Sequence, residues 1–134
     1  MLGSHGPRRI RISSGNLSLS ATLTDNRAAR ALWKQLPVEA KASTWGHEIY
    51  FPVPIELAST KDDKDVVAMG DIAYWPPGSA VCIFFGRTPA SRGEEIRAAS
   101  PVTLLGKIEG DPTLFNTVEA GQLVRVEQDT STST

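Results

Sequence analysis

The segment Leu17-Ser18-Leu19-Ser20-Ala21-Thr22-Leu23 alternates apolar and polar residues with a period of two. That pattern suits a strand with one buried and one wet face, because a helical stripe recurs every three to four residues instead. Arg8-Arg9-Ile10-Arg11-Ile12 alternates in the same way, and Ser13-Ser14-Gly15-Asn16 between the two is a turn cluster, so the pair reads as a hairpin. The arginines then form a solvated strand edge rather than a binding patch.

The rest of the chain repeats this grammar with two interruptions. Ala28, Ala29, Leu32, Trp33 and Leu36 form an apolar stripe at helical spacing. Thr24 or Asp25 supplies the cap, and Pro37 stops the helix because the residue before a proline is pushed out of the helical region. Strands are predicted over Val38–Ser43, Glu48–Phe51, Ile72–Trp75, Ala80–Phe85, Pro101–Ile108 and Leu123–Glu127. Lys61–Asp65 reads as a solvated loop or helix start, and Gly86–Ser100 as irregular. Asp111-Pro112 opens a second short helix, with the acid at the cap and proline in the first turn. The sum is a mainly β domain over residues 8–128, a closed or nearly closed antiparallel β-barrel capped by two short helices. Residues 1–7 and 129–134 are expected as flexible ends.

Composition narrows the function classes. With 14 Lys and Arg against 15 Asp and Glu, the chain presents no field that would draw in nucleic acid or an anionic membrane. No apolar run reaches the length of a membrane span, and the N-terminus shows no apolar signal core, so the cytosol is the default location. Asn16-Leu17-Ser18 therefore matches a glycosylation acceptor by chance. Two histidines, His5 and His47, and one cysteine, Cys82, cannot build a typical zinc site. Cys82 sits in an apolar run with no cation beside it, and reads as a small buried hydrophobe rather than a nucleophile. Neither a phosphate loop nor a nucleophile elbow occurs, and no cofactor is expected.

What remains is aromatic. On their strand Glu48 and Tyr50 share one face, and Ile49 and Phe51 the other. Phe84 and Phe85 are split in the same manner, as are Tyr74 and Trp75. Each aromatic alone reads as core packing. Taken together, with Glu48 and Thr88 near, the set reads as a shallow cleft for a small molecule or peptide. The candidate site is Trp45, Glu48, Tyr50, Tyr74, Phe84 and Thr88.

Three blocks carry a resemblance. Thr44–Phe51 (TWGHEIYF), Gly70–Gly78 (GDIAYWPPG) and Phe84–Pro89 (FFGRTP), in this order, resemble a family of small bacterial and archaeal cyclophilin-like proteins, and the likeness runs from Arg9 to Val126. It implies a compact cyclophilin barrel and brings no established activity with it. Gly106–Gly110 and Ala80–Phe85 resemble segments of true prolyl isomerases, but the strand Glu48–Phe51 has no arginine where those enzymes carry an essential one. The tryptophan and histidine that the resemblance would place between Phe85 and Pro101 are missing as well.

The missing arginine matters because rotation about X–Pro faces a barrier of about 20 kcal/mol from amide resonance. A donor to the prolyl nitrogen acts only in the twisted transition state, whereas an apolar cleft alone offers the weaker lever of desolvation. The sequence thus reads as a binding module of this fold without efficient isomerase activity. The rival readings are a weak isomerase using Arg87 or Arg92, with Arg97 also within reach on the same segment, a small-molecule enzyme like the cyclophilin-like domains of the allophanate hydrolase and oxoprolinase group, and a subunit that pairs through a sheet edge or aromatic patch. Oligomeric state is not legible in the sequence.

Overall fold

The computed structural model describes residues 8–129. The hairpin read from the alternation is present as β1 (Arg9–Ser14) and β2 (Leu17–Leu23), with Ile10 facing Ala21 and Ile12 facing Leu19. Helix α1 (Arg27–Gln35) follows, then β3 (Val38–Lys41), β4 (Ser43–Thr44), β5 (Glu48–Pro52), β6 (Lys64–Val67), β7 (Asp71–Trp75), β8 (Ala80–Phe84), β9 (Ile96–Ile108) and β10 (Leu123–Gln128). Two 3-10 turns, Pro76–Gly78 and Pro112–Thr117, precede β8 and β10.

One antiparallel sheet runs β3-β10-β1-β2-β9-β7-β8-β5-β4, and β6 pairs with β9 off this path. The two ends of the path are neighbours in the chain, separated only by Ala42, whose amide donates to the Gln122 carbonyl. The sheet is nevertheless not closed by hydrogen bonds. The end strands β3 and β4 each pair on one edge only, with β10 and β5, and β4 is just two residues long. The second of the two expected helices is the 3-10 turn Pro112–Thr117, in which Asp111 accepts from the Thr113 amide as anticipated for its cap.

The sheet buries side chains on both faces. Ile10, Ile12, Ile49, Phe51, Ile72, Tyr74, Phe85 and Phe115 belong to the larger cluster, with Leu32 of α1. Val67, Ala73, Cys82, Phe84, Ile96, Ala98 and Val102 form a smaller one on the opposite face, beneath β6 and the first half of β9. The odd–even split of β5, β7 and β8 is therefore real: Phe84 and Phe85 enter different clusters, as do Tyr74 and Trp75.

Three local expectations differ from what is found. The cap of α1 is Asn26, not Thr24 or Asp25. Its Oδ1 accepts from the Ala29 amide while its Nδ2 donates to the Leu104 carbonyl, so the side chain satisfies the helix start and ties it to β9 at once. Lys64-Asp65, expected in a solvated loop, begins β6, because Asp65 pairs with Arg97 of β9 at 2.7 Å and Lys64 faces Val102 in the ladder. Gly86–Ser100 reads as irregular throughout, yet β9 starts at Ile96 and runs through Pro101. Its first half serves β6 and its second half β7 and β2, so the strand changes partners around the proline.

The expected ends 1–7 and 130–134 lie outside the described residues. Asp129 is held: its amide donates to the Arg9 carbonyl and its carboxylate accepts from the Ser20 hydroxyl.

Candidate functional site

The smaller cluster leaves a cavity of about 200 Å³ at its edge. Glu48 and Tyr50 enter it from β5, with Trp45 from the turn that precedes that strand. Trp75 of β7 and Cys82 of β8 form the adjoining wall, and Ala98, Ala99 and Val102 close it from β9.

The turn that carries Trp45 is locked from outside. The Trp45 amide donates to the Glu48 carbonyl, the His47 amide donates to the Arg87 carbonyl, and the Phe85 amide donates to the His47 carbonyl. Gly46 adopts a φ of +63°, and a Cβ there would meet Arg87 O, Thr88 Cα and Pro89 Cδ at 2.9 Å each. Only glycine fits a left-handed turn pressed so closely on a neighbouring backbone. Trp75 is fixed by a bond from its indole Nε1 to Ser100 Oγ at 2.7 Å, and its ring meets Tyr50 edge-on with centroids 6.3 Å apart.

At the inner end of the cavity lies Glu48. It is 5% exposed, and its Oε1 is buried with no hydrogen-bond partner. The neighbouring Cys82 thiol favours the charged form of the carboxyl. Burial outweighs it and pushes the Glu48 pKa up to about 7. Burial and the neighbouring carboxyl together push the Cys82 thiol well above its usual range, so it is a hydrogen-bond donor and not a nucleophile.

The six residues expected in the cleft divide evenly. Trp45, Glu48 and Tyr50 line the cavity together. Tyr74 lies on the other face of β7, fully buried, with its hydroxyl donating to the Ile55 carbonyl and accepting from the Leu57 amide. Phe84 is 0% exposed and supports the cavity from beneath without lining it. Thr88 is buried as well, and its hydroxyl is taken up by the Arg97 carbonyl and the Ser91 side chain, which holds the loop between β8 and β9 in place.

Sequence reasoning passed over Trp75 and the β9 wall. Trp75 follows from the same alternation that separates it from Tyr74, once Tyr74 is known to face inward. Ala98 and Ala99 fall in the segment read as irregular, and Val102, although in a predicted strand, carried no sign of which face it would take. None of the three arginines considered as replacement donors lines the cavity. Arg87 and Arg92 are exposed, and Arg97 is held by Glu95 at 2.6 Å and Asp65 at 2.7 Å.

Among the described residues, no three His, Cys, Asp or Glu side chains come together as a metal-holding group. No helix among them is long and apolar enough to cross a membrane.

Comparison with known proteins places this geometry in context. A family model described as Cyclophilin-like matches residues 8–127. No curated protein matches the chain. A solution structure of the hypothetical protein AF2241 from Archaeoglobus fulgidus is 36% identical, with a TM-score of 0.79 over 95% of this chain and 99% of that one.

Proposed function

The chain belongs to the cyclophilin-like family, and from that premise we propose that it is a binding module, taking a small molecule or short peptide into the Glu48 cleft without efficiently isomerising peptidyl-proline. Glu48 carries this reading. A carboxyl 5% exposed, with one oxygen unpartnered, stands at a cavity bordered by Trp45, Tyr50 and Trp75. An unsatisfied buried polar atom costs about 1–3 kcal/mol, and a ligand donor at Oε1 recovers it. The aromatic walls supply the apolar surface that gives a small ligand most of its affinity.

The lack of a cation in the lining argues against prolyl isomerisation by the arginine route. The test is a cis–trans exchange experiment by NMR on an Ala-Pro peptide, with the Trp45 and Trp75 indole signals followed alongside and then against a fragment library. The expected result is no catalysed exchange and fragment shifts confined to those two indoles. Catalysed exchange, or fragment binding only elsewhere on the protein, would overturn the reading.

One observation favours a second reading, that of a small-molecule enzyme like the domains of the allophanate hydrolase and oxoprolinase group. A cleft carboxyl with a pKa of about 7 is matched to proton transfer at neutral pH. That reading requires turnover that disappears in Glu48→Gln, whereas the binding module shows none to lose.

A further inference from the structure

The chemistry of the cavity narrows its occupant. We infer that the Glu48 cleft receives a small organic ammonium ion bearing at least one N–H, its nitrogen at the Glu48 carboxylate and its alkyl part among Trp45, Tyr50 and Trp75. The inference rests on the reading of the cavity as a ligand site and names the class of ligand.

Four features of the cavity converge on this class. The first is the acceptor: Oε1 is buried and unpartnered, so an N–H donor completes it. The second is charge. Strand β5 contributes Glu48 and Tyr50 to the lining, β7 contributes Trp75, β8 contributes Cys82 and β9 contributes only Ala98, Ala99 and Val102. Tyr50 and Cys82 are the other titratable groups that face the carboxyl, and neither supplies a positive charge. A carboxylate buried without a cation is strongly disfavoured, so the ligand is the natural source of one. The third is the aromatic border, since tryptophan and tyrosine offer apolar surface to the alkyl part of the ligand beside the charged group. The fourth is size: about 200 Å³ corresponds to the share of about seven waters. That is room for an alkylamine.

The charge requirement has a consequence in pH. The ammonium ion pairs with the carboxylate, so protonating Glu48 removes the binding-competent form. With a pKa of about 7, the competent fraction is close to one at pH 8 and about one-hundredth at pH 5. Affinity is therefore predicted to fall about a hundredfold between these values. Butylammonium is a suitable probe, because an alkylamine stays protonated throughout the interval.

The experiment titrates the protein with butylammonium, 1-butanol and butanamide at pH 5 and pH 8, reading the Trp45 and Trp75 indole signals by NMR. The expected result is that butylammonium binds at least tenfold more tightly than either neutral probe at pH 8 and loses about a hundredfold at pH 5. In Glu48→Gln, with folding confirmed from its amide spectrum, the preference for butylammonium over 1-butanol falls to within about twofold. If 1-butanol or butanamide binds as well as butylammonium, or if the affinity ignores pH, the cavity is a ligand site but the ammonium assignment is wrong. If no probe moves either indole while other fragments do, the assignment is again wrong. If nothing at all moves them, the reading of the cavity as a ligand site fails with it.

Discussion

Between pH 5 and pH 8 the protein is expected to lose about 2 to 3 kcal/mol of folding stability that the Glu48→Gln variant does not lose. The folded state raises the Glu48 pKa from 4.5 to about 7, chiefly by burial. In that interval the folded chain holds a proton that the unfolded chain has released. Stability therefore falls as pH rises, beginning near the unfolded value and ending once the folded value is passed. Each tenfold change in proton affinity between the two states is worth about 1.4 kcal/mol, and the window from pH 5 to pH 8 covers most of the rise from 4.5 to about 7. In melting temperature the loss amounts to about 10 °C for a chain of this size. Other titrating groups contribute equally to both proteins, so the difference between the two pH profiles isolates Glu48. Urea titrations at pH 5, 6, 7 and 8 on both proteins read it directly. Parallel profiles would show that the carboxyl is not held in a desolvated site.

The second large effect lies in the sheet rather than the cleft. Gly106→Ala is expected to destabilise the fold by about 3 kcal/mol or more. Gly106 stands near the end of β9 with a strand on either side, facing Leu23 of β2 and Ile72 of β7. A Cβ at this position would lie 2.2 Å from the Thr22 carbonyl oxygen and 3.1 Å from both Thr22 C and Leu23 Cα. All three are backbone atoms, so no flexible side chain can swing away, and β2 and β9 must part. That separation divides β3-β10-β1-β2 from β9-β7-β8-β5-β4, because β2 reaches β7 only through β9. A urea midpoint for Gly106→Ala within experimental error of the wild type would contradict this packing.

Much of this arrangement is legible in the chain itself. Period-two alternation is enough to pair β1 with β2, and to separate Glu48 and Tyr50 from Ile49 and Phe51. Two kinds of information escape it. Alternation separates two faces without saying which one meets the larger core, so Tyr74 reads as readily for the cleft as Trp75 does. The polar bonds of its hydroxyl, to Ile55 and Leu57, come from a segment with no pattern of its own. Long-range pairing is the other gap. Lys64–Val67 is a strand only because β9 offers it a ladder and Arg97 offers Asp65 a partner, and neither is visible from within Lys61–Asp65. Pro101 hides the earlier part of β9, with Ala98 and Ala99, for a related reason: a proline inside a strand is tolerated where the strand changes neighbours, and that change is a property of the whole sheet.

If Glu48 borders a ligand cavity as a desolvated acceptor, its titration must respond both to burial and to a bound donor. The most direct test is to follow the Glu48 side-chain carboxyl by carbon-13 NMR from pH 4 to pH 9, in the free protein and with butylammonium. The expected result is a midpoint near 7 in the free protein, moving to lower pH as the amine binds. A midpoint in the ordinary carboxylate range, unmoved by the amine, would contradict it.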